Sequence, residues 1–204
     1  MNDKKVIAVV GATGAQGGSL VEAILADQSR GFAVRALTRD SGSTRARALA
    51  ARGAEVVQAD LDDEESLRSA FRGAYGVYVV TNFWEQRTPE EVQERSAAAR
   101  EINQARNAAQ AAKNANARHV IWSTLADNRP YFPADADRTP TFEGKYKVPH
   151  ADAKAYADKF FVELGVPVTF IQANVYYEAF MKRFDPHRNE EGNLTLALRD
   201  TAKS

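Results

Sequence analysis

The chain has 204 residues, with 27 Lys and Arg against 27 Asp and Glu, 44% hydrophobic residues and no cysteine. This length suits one domain, or one domain with a small appendage, and is enough to bury a core. The balanced charge removes the electrostatic argument for direct binding to nucleic acid or to an anionic membrane. Without cysteine the chain has no disulfide, no thiolate catalysis and no cysteine-ligated metal.

The first residues do not read as a signal peptide. Residues 1–5 are polar or charged apart from Met1, and only the short apolar run 6–10 follows them. No stretch of the sequence approaches the roughly 18 apolar residues that a membrane helix needs. We therefore expect a cytoplasmic protein that does not bind a membrane.

Short apolar runs predict six β-strands. The runs are unbroken rather than alternating with polar residues, which is typical of strands covered on both faces of a sheet. They are Val6–Val10, Phe32–Thr38, Ala54–Gln58, Val77–Val80, His119–Ser123 and Val166–Ile171.

Helical patterns lie between these runs. One helix is predicted to start near Gln16, and another to follow Asp62 as its N-cap, with Glu65 as the partner carboxylate. The longest is predicted from Thr88, with Pro89 as its first residue, to about Lys113. Strand–helix alternation of this kind predicts an α/β fold: a doubly wound parallel sheet with helices on both faces.

Two regions depart from the alternation. Residues 127–149 hold four of the seven prolines and little apolar periodicity, so they predict a long proline-rich loop. Near the end, Leu194–Leu198 predicts one more strand.

A glycine-rich segment connects the first predicted strand to the first helix. In Gly11-Ala12-Thr13-Gly14-Ala15-Gln16-Gly17, the first glycine permits a tight turn and the second allows close approach of a pyrophosphate. The third permits close packing of helix on strand. The amides at the helix N-terminus favour a phosphate, so this strand–loop–helix context predicts dinucleotide binding.

The end of the second strand bears on the choice of cofactor. An acidic residue there binds a ribose 2′-hydroxyl, whereas an arginine accommodates a 2′-phosphate. Arg39 stands where the strand is expected to end, and Asp40 follows it. Further donors come from Ser41, Ser43 and Arg45. We favour NADP(H) over NAD(H); the alternative is a solvated arginine on a loop.

Several motifs together resemble the NmrA-like family, an atypical branch of the short-chain dehydrogenase/reductases. They are VVGATGAQGG at 9–18, VRALTR at 34–39, GAEVVQAD at 53–60, VTNFWE at 80–85 and HADAK at 150–154. The resemblance covers essentially the whole chain and implies a Rossmann-type NAD(P)-binding domain over residues 1–204 that prefers NADP(H). Some members are reductases, and others resemble sensors of the NADPH/NADP⁺ ratio or regulators that bind protein partners.

The resemblance also implies a set of cofactor-binding residues. These lie in the glycine-rich segment 11–17, called the glycine bend below, at the ends of the strands and in a later helix. They are Gly11, Thr13, Gly14, Ala15, Gln16, Gly17, Arg39, Asp60, Leu61, Thr81, Asn82, Phe83, Lys154, Ala173, Asn174, Val175 and Tyr176.

Catalysis is the open question in the sequence. Related enzymes use Ser, Tyr and Lys, with the tyrosine four residues before the lysine. Ser123 and Lys154 occupy the corresponding positions, but the fourth residue before Lys154 is His150. Histidine can donate a proton near neutrality, although a neighbouring lysine favours the neutral imidazole. A surface histidine without a catalytic role is the alternative. The three histidines are too scattered to indicate a metal site.

The resemblance implies a longer chain than this one. Relatives continue into a small domain that walls a substrate cleft, of which residues 190–204 would be only the truncated start. We therefore expect that substrate domain to be largely absent, which would expose an apolar patch to a homodimer or a regulatory protein partner.

Three functions follow. The first is an NADP(H)-binding redox sensor or regulator that acts through cofactor-dependent conformational change. The second is an NADPH-dependent reductase of a quinone, carbonyl or similar electrophile, and the third is an interaction module with a vestigial cofactor site.

Overall fold

A parallel sheet of six strands organises the first part of the chain. The structure is a computed structural model, which describes residues 4–27, 31–132, 140–173, 176–177 and 186–196. The chain divides into two compact units, Met1–Gln172 and Ala173–Ser204. The assignment of the whole chain to a single domain stays a prediction.

The sheet has the strand order β3-β2-β1-β4-β5-β6, and every neighbouring pair is parallel. This order places β1 between β2 and β4 and confirms the predicted doubly wound sheet. The strands are β1 Lys5–Val9, β2 Phe32–Thr38, β3 Glu55–Gln58, β4 Gly76–Val79, β5 His119–Thr124 and β6 Val168–Gln172.

Among the described residues, six α-helices lie between the strands of the sheet, and helices cover both of its faces. One face packs against a cluster that includes Trp122 and Phe161, and the other against a cluster that includes Val21 and Leu49. The helices are α1 Ala15–Ala26, α2 Thr44–Ala51, α3 Glu64–Phe71, α4 Pro89–Glu94, α5 Ala97–Asn114 and α6 Pro149–Glu163. None of these described helices is long and apolar enough to cross a membrane.

The helix predicted from Thr88 to Lys113 is in fact two helices, so that prediction was wrong. The start is as expected, because Thr88 and Glu91 form a capping box and Pro89 is the first helical residue of α4. Arg95 then adopts an extended backbone (φ −154°, ψ 148°), and the Ser96 hydroxyl accepts the N–H of Ala99 to start α5. No glycine or proline stands at residues 90–98 to mark the break, so the sequence carries no local sign of it.

The predicted N-cap of α3 is wrong by one residue. Asp63, not Asp62, caps the helix, and its carboxylate accepts the N–H groups of Glu65 and Ser66 at 3.0 and 3.2 Å. Asp62 instead pairs with arginines of the α4–α5 region. This long-range pairing has no local signal in the sequence.

The last strand of the sheet departs from the expectation that every strand is covered on both faces. β4 is buried along its whole length, but the side chains of β6 from Thr169 to Gln172 are exposed. β6 is an edge strand of this sheet, paired only with β5.

In the second unit, β7 Pro186–Arg188 pairs antiparallel with β8 Leu194–Leu196. β8 was predicted within Leu194–Leu198, of which residues 197–198 lie outside the described part of the chain. β7 was not predicted, because its three residues offer no alternation to detect.

Hydrogen bonds connect both ends of the proline-rich loop to α6. Residues 133–139 lie outside the described residues, but Asp152 of α6 is fully buried and its carboxylate accepts three backbone N–H groups. These belong to Asn128 (3.0 Å) before the gap and to Lys147 and Val148 (2.7 and 2.8 Å) after it. One buried carboxylate therefore fixes where the loop leaves and rejoins the domain.

Candidate functional site

The glycine bend between β1 and α1 requires glycine at two positions. Gly11 has a φ of 66°, in the left-handed region that favours glycine. A Cβ on Gly17 would lie 2.4 Å from the carbonyl oxygen of Gly11 and 2.7 Å from that of Val10. The first turn of α1 therefore lies directly against the end of β1, as the role predicted for the third glycine requires.

The N-terminus of α1 differs from those of the next four helices. Ser43, Asp63, Thr88 and Ser96 each cap the following helix with a side chain, but Gly14 has none to offer. The first turn of α1 also holds no acidic residue. Its dipole and N–H groups are thus arranged to suit an external anion such as a pyrophosphate.

Gln16, in the first turn of α1, connects the glycine bend to the middle of the sheet. Its Oε1 accepts the hydroxyl of Tyr78 in β4 at 2.7 Å and the hydroxyl of Ser123 in β5 at 2.6 Å. Gln16 and Ser123, predicted for different roles, are therefore in direct contact.

Lys154 lies in a buried cluster at the ends of β4 and β5. Its Nζ donates to Thr81 Oγ1 at 2.6 Å and to the carbonyl oxygen of Ser123 at 3.2 Å. The Glu101 carboxylate lies 3.3 Å from Nζ and also accepts the Thr81 hydroxyl at 2.6 Å. The Nζ lies 4.8 Å from the centre of the Trp122 ring. The ammonium donors are therefore engaged within the protein.

The electrostatics of this cluster are set by burial. Lys154 is 8% exposed and Glu101 1%. Desolvation lowers the pKa of Lys154 below its ordinary value, and the carboxylate of Glu101 opposes that shift. The second oxygen of Glu101, Oε2, is buried without a hydrogen-bond partner among the described residues.

His150 lies one helical turn before Lys154 on α6. Its ring is half-buried and contacts Trp84 and Phe83, with ring centres 5.3 and 6.0 Å away. The segment after β4 thus meets α6 twice, through Thr81 at Lys154 and through the aromatic pair at His150. The predicted roles of Ser123, His150 and Lys154 in proton transfer stay predictions.

Arg39 directly follows β2, close to where the strand was predicted to end, and it is exposed. Its guanidinium pairs with Glu85, in the segment after β4, and Glu85 also accepts from Arg100 at 2.6 Å. Asp40 is directed into its own turn, where its carboxylate accepts the N–H of Gly42 at 2.9 Å. Arg45 reaches the carbonyl oxygen of Thr13 in the glycine bend at 3.4 Å. The guanidinium of Arg45 therefore contacts the bend, and that of Arg39 lies at the end of the strand next to β1.

The remaining predicted residues lie at strand ends, in the second unit or outside the described residues. Asp60 and Leu61 follow β3, and Asn82 is exposed and accepts the N–H of Trp84 at 3.1 Å. Asn174 and Val175 lie outside the described residues. Ala173 and Tyr176 belong to the second unit, and their predicted place beside the cofactor stays a prediction.

Sequence reasoning missed three residues of this site. Glu101 gave no signal, because it lies in an alanine-rich helix where a glutamate ordinarily faces solvent. Tyr78 is part of an apolar run that predicted only a strand. Glu85 stands within the motif at 80–85 but carried no stated role.

Among the described residues, no group of three or more His, Asp or Glu side chains could hold a metal ion. The strand order and the glycine bend define a Rossmann-type α/β protein. Comparison with known proteins assigns it further. The sequence model of the NmrA-like family matches residues 3–199, and the chain belongs to this family.

Individual relatives are similar over part of their length. The NmrA-like family domain-containing oxidoreductase malD of Malbranchea aurantiaca is 36% identical over 121 residues, which are 59% of this chain and 34% of malD. A crystal structure of NmrA, a negative transcriptional regulator, in complex with NAD is 26% identical with a TM-score of 0.67. The NADPH-dependent quinone oxidoreductase of Escherichia coli in complex with NADPH is 27% identical with a TM-score of 0.59.

These structural matches cover 94% and 86% of this chain but only 53% and 51% of the two solved chains. The chain therefore spans about half the length of the solved relatives and about a third of malD.

Proposed function

We propose that this protein binds NADP(H) and acts as a redox sensor or regulator through cofactor-dependent conformational change. The observation that carries the binding is the fit of the glycine bend. Gly17 packs where no side chain fits, and Gly14 leaves the N-terminus of α1 without a side-chain cap. A pyrophosphate supplies the anion that this helix end lacks. The complexes of two structural neighbours with NAD and with NADPH support the same class of ligand.

NADP(H) rather than NAD(H) is favoured by the cations beside the bend. Arg39 is solvent-exposed and Arg45 lies close to the bend, so both suit the oxygens of a 2′-phosphate. Asp40, the residue that would bind a ribose 2′-hydroxyl, is occupied within its own turn. The other residues proposed to line the cofactor are Thr13, Ala15, Asp60, Leu61, Thr81, Asn82 and Phe83.

The sensor role is favoured by the state of the candidate catalytic residues. When bound, the cofactor supplies a nicotinamide that can donate or accept hydride, and a reductase also needs a group that gives a proton to its substrate. The tyrosine position holds His150, whose ring packs on Phe83 and Trp84. The ammonium of Lys154 donates to Thr81 and to the Ser123 carbonyl and pairs with Glu101. Lys154 must give up one of these bonds to hold a ribose hydroxyl.

A reductase is the second candidate function, and the names of the relatives favour it. Eight curated relatives, 36–48% identical over parts of this chain, are each named NmrA-like family domain-containing oxidoreductases. In this candidate Ser123 and His150 would orient and protonate a quinone or carbonyl oxygen, and Lys154 would hold the cofactor ribose. A cytoplasmic location and a homodimer or protein partner remain predictions for either candidate.

Calorimetric titration with NADPH, NADP⁺, NADH and NAD⁺ tests the binding. We expect NADP(H) to bind at least about tenfold more tightly than NAD(H), since two arginines face the phosphate. Arg39→Glu should remove this preference, while Arg118→Glu, an exposed arginine before β5, should keep it. Absence of binding to all four dinucleotides would refute the proposal.

Hydrogen exchange and turnover separate the two roles. A sensor predicts that NADPH protects backbone amides beyond the glycine bend, in the segment 81–88, without consumption of NADPH in the presence of a panel of quinones. Steady consumption of NADPH that His150→Phe abolishes would establish the reductase instead.

A further inference from the structure

A single carboxylate, that of Glu85, holds the arginine proposed to bind the 2′-phosphate. Its Oε1 pairs with Arg39 at the end of β2, and its Oε2 accepts from Arg100 of α5 at 2.6 Å. The side chain of Glu85 is 17% exposed, whereas that of Arg39 is 59% exposed. The carboxylate is thus the fixed partner in this pair, and the Arg39 guanidinium is the one that can move.

The position of this pair matters for the cofactor. β2 and β4 flank β1 in the sheet, and the glycine bend follows β1. The pair therefore joins the two segments on either side of the bend. Any ligand phosphate that reaches Arg39 meets the carboxylate of Glu85 as a competing anion.

The Arg39–Glu85 pair belongs to a larger network of charges. Arg100 also donates to Asp62 at 2.7 and 2.9 Å, and Arg95 pairs with the other oxygen of Asp62. In this network three guanidinium groups face two carboxylates, which leaves one net positive charge for an incoming anion. Removing the charge of Glu85 would raise that surplus to two.

We infer that Glu85 is a specificity-determining residue, which limits the preference for NADP(H) over NAD(H) by competing with the 2′-phosphate for Arg39. This inference rests on the proposed function. A 2′-phosphate bears nearly two negative charges, whereas the 2′-hydroxyl of NAD(H) bears none. At this position of the ribose Glu85 therefore opposes only the phosphorylated cofactor, and its effect on the pyrophosphate is common to both. A carboxylate about 6 Å from a phosphate dianion in a water-like dielectric weakens binding by about tenfold.

Glu85→Gln isolates this effect, because glutamine is nearly the same size and keeps an oxygen that can accept from Arg100. The matched control is Glu55→Gln, which removes the same charge from an exposed carboxylate at the start of β3 that pairs with Arg35 (2.8 Å). Adenosine 2′,5′-bisphosphate and 5′-AMP differ only in the 2′-phosphate, so calorimetry with the two measures how much this group adds to the affinity. Calorimetry with NADP⁺ and NAD⁺ then extends the test to whole cofactors.

Glu85→Gln should raise the affinity ratio of the bisphosphate to 5′-AMP, and of NADP⁺ to NAD⁺, by about tenfold. Glu55→Gln should leave both ratios within about twofold of wild type. An unchanged ratio in Glu85→Gln, or an equal change in both variants, would overturn the inference and leave the proposed function intact. If the wild-type chain binds no dinucleotide, the proposed function fails, and this inference fails with it.

A measurement on the wild-type chain keeps the inference testable if the variant does not fold. The chain has two tryptophans, of which Trp84 is 73% exposed next to Glu85 and Trp122 is fully buried. Iodide quenching of fluorescence therefore reports on Trp84. The bisphosphate, which releases Glu85 from Arg39, should change the quenching constant, and 5′-AMP should change it less. Equal effects of the two ligands would overturn the inference.

Discussion

The hydroxyl of Ser123, at the end of β5, donates a 2.6 Å hydrogen bond to the side chain of Gln16, in the first turn of α1. The same oxygen of Gln16 accepts from Tyr78 at 2.7 Å. Ser123 is 2% exposed and Tyr78 8%. The glutamine of the glycine bend thus connects the proposed cofactor site to the candidate catalytic serine through one acceptor.

Gln16→Leu should destabilise the protein by about 1–3 kcal/mol, because it removes the acceptor of two buried hydroxyls. Ser123→Ala removes a donor instead and should cost less, about 1 kcal/mol. Urea unfolding followed by circular dichroism measures both values. Equal stability of Gln16→Leu and wild type would show that these hydrogen bonds contribute nothing net.

Gly17→Ala should disrupt the glycine bend, because its Cβ would meet two backbone oxygens at 2.4 and 2.7 Å and backbone cannot yield as a side chain can. We expect a loss of about 2–3 kcal/mol in unfolding free energy, together with a loss of NADPH affinity. Gly18→Ala is the control in the same helix, with its nearest contact at 3.3 Å. Its helix propensity gain of up to about 1 kcal/mol should offset that contact. Similar losses in both variants would contradict this account of the bend.

Lys154→Met should be strongly destabilising whether or not the protein is an enzyme. It leaves the buried carboxylate of Glu101 without its counter-charge, and breaking a buried pair typically costs about 3–5 kcal/mol. A loss of activity in this variant would therefore not by itself identify a catalytic lysine.

The double variant Lys154→Met/Glu101→Gln tests whether the loss in Lys154→Met comes from its pair with Glu101 or from its other contacts. If the two charges depend on each other, the double variant should be more stable than the sum of the single losses predicts, by about 1–3 kcal/mol. Additive losses in chemical unfolding would contradict the coupling. Asp158→Asn, a partly buried neighbour that bonds Trp122 and Thr124, should show weaker coupling to Lys154.

Local signals in the sequence predicted the sheet and the glycine bend well. The second strand, Phe32–Thr38, was predicted with its exact bounds, and the capping box at Thr88 marked the start of α4. Both features depend on residues that are close in sequence. The break at Arg95 and Ser96 was missed because no glycine or proline marks it in the sequence.

The polar contacts of the site could not be predicted, because they join residues far apart in the chain. Lys154 meets Glu101 and Thr81, and Arg39 meets Glu85, only once the parallel strands place their carboxyl ends together. A periodicity or a motif indicates which elements exist, but it does not indicate which charge on one loop faces which charge on another.

We expect the stabilisation that Asp62 provides to be lost at acidic pH. Partial burial raises its pKa, but hydrogen bonds from Gln104, Arg100 and Arg95 outweigh burial and lower the pKa below its ordinary value. A carboxyl whose pKa is lower in the folded state stabilises the fold fully above its unfolded pKa, about 4. This stabilisation is lost as the pH falls through the folded value. The free energy of unfolding should therefore fall on the acid side, in part because of this one group.

Asp62→Asn isolates that contribution. At pH 7 the variant should be less stable by about 1.5–3 kcal/mol, because it loses charge-assisted hydrogen bonds from two arginines. The difference from wild type should shrink as the pH is lowered from 6 to 3. The control is Asp63→Asn next to it, since asparagine caps a helix about as well as aspartate and should cost little at pH 7. A difference between Asp62→Asn and wild type that stays constant from pH 7 to pH 3 would show that the arginines do not lower the pKa of Asp62.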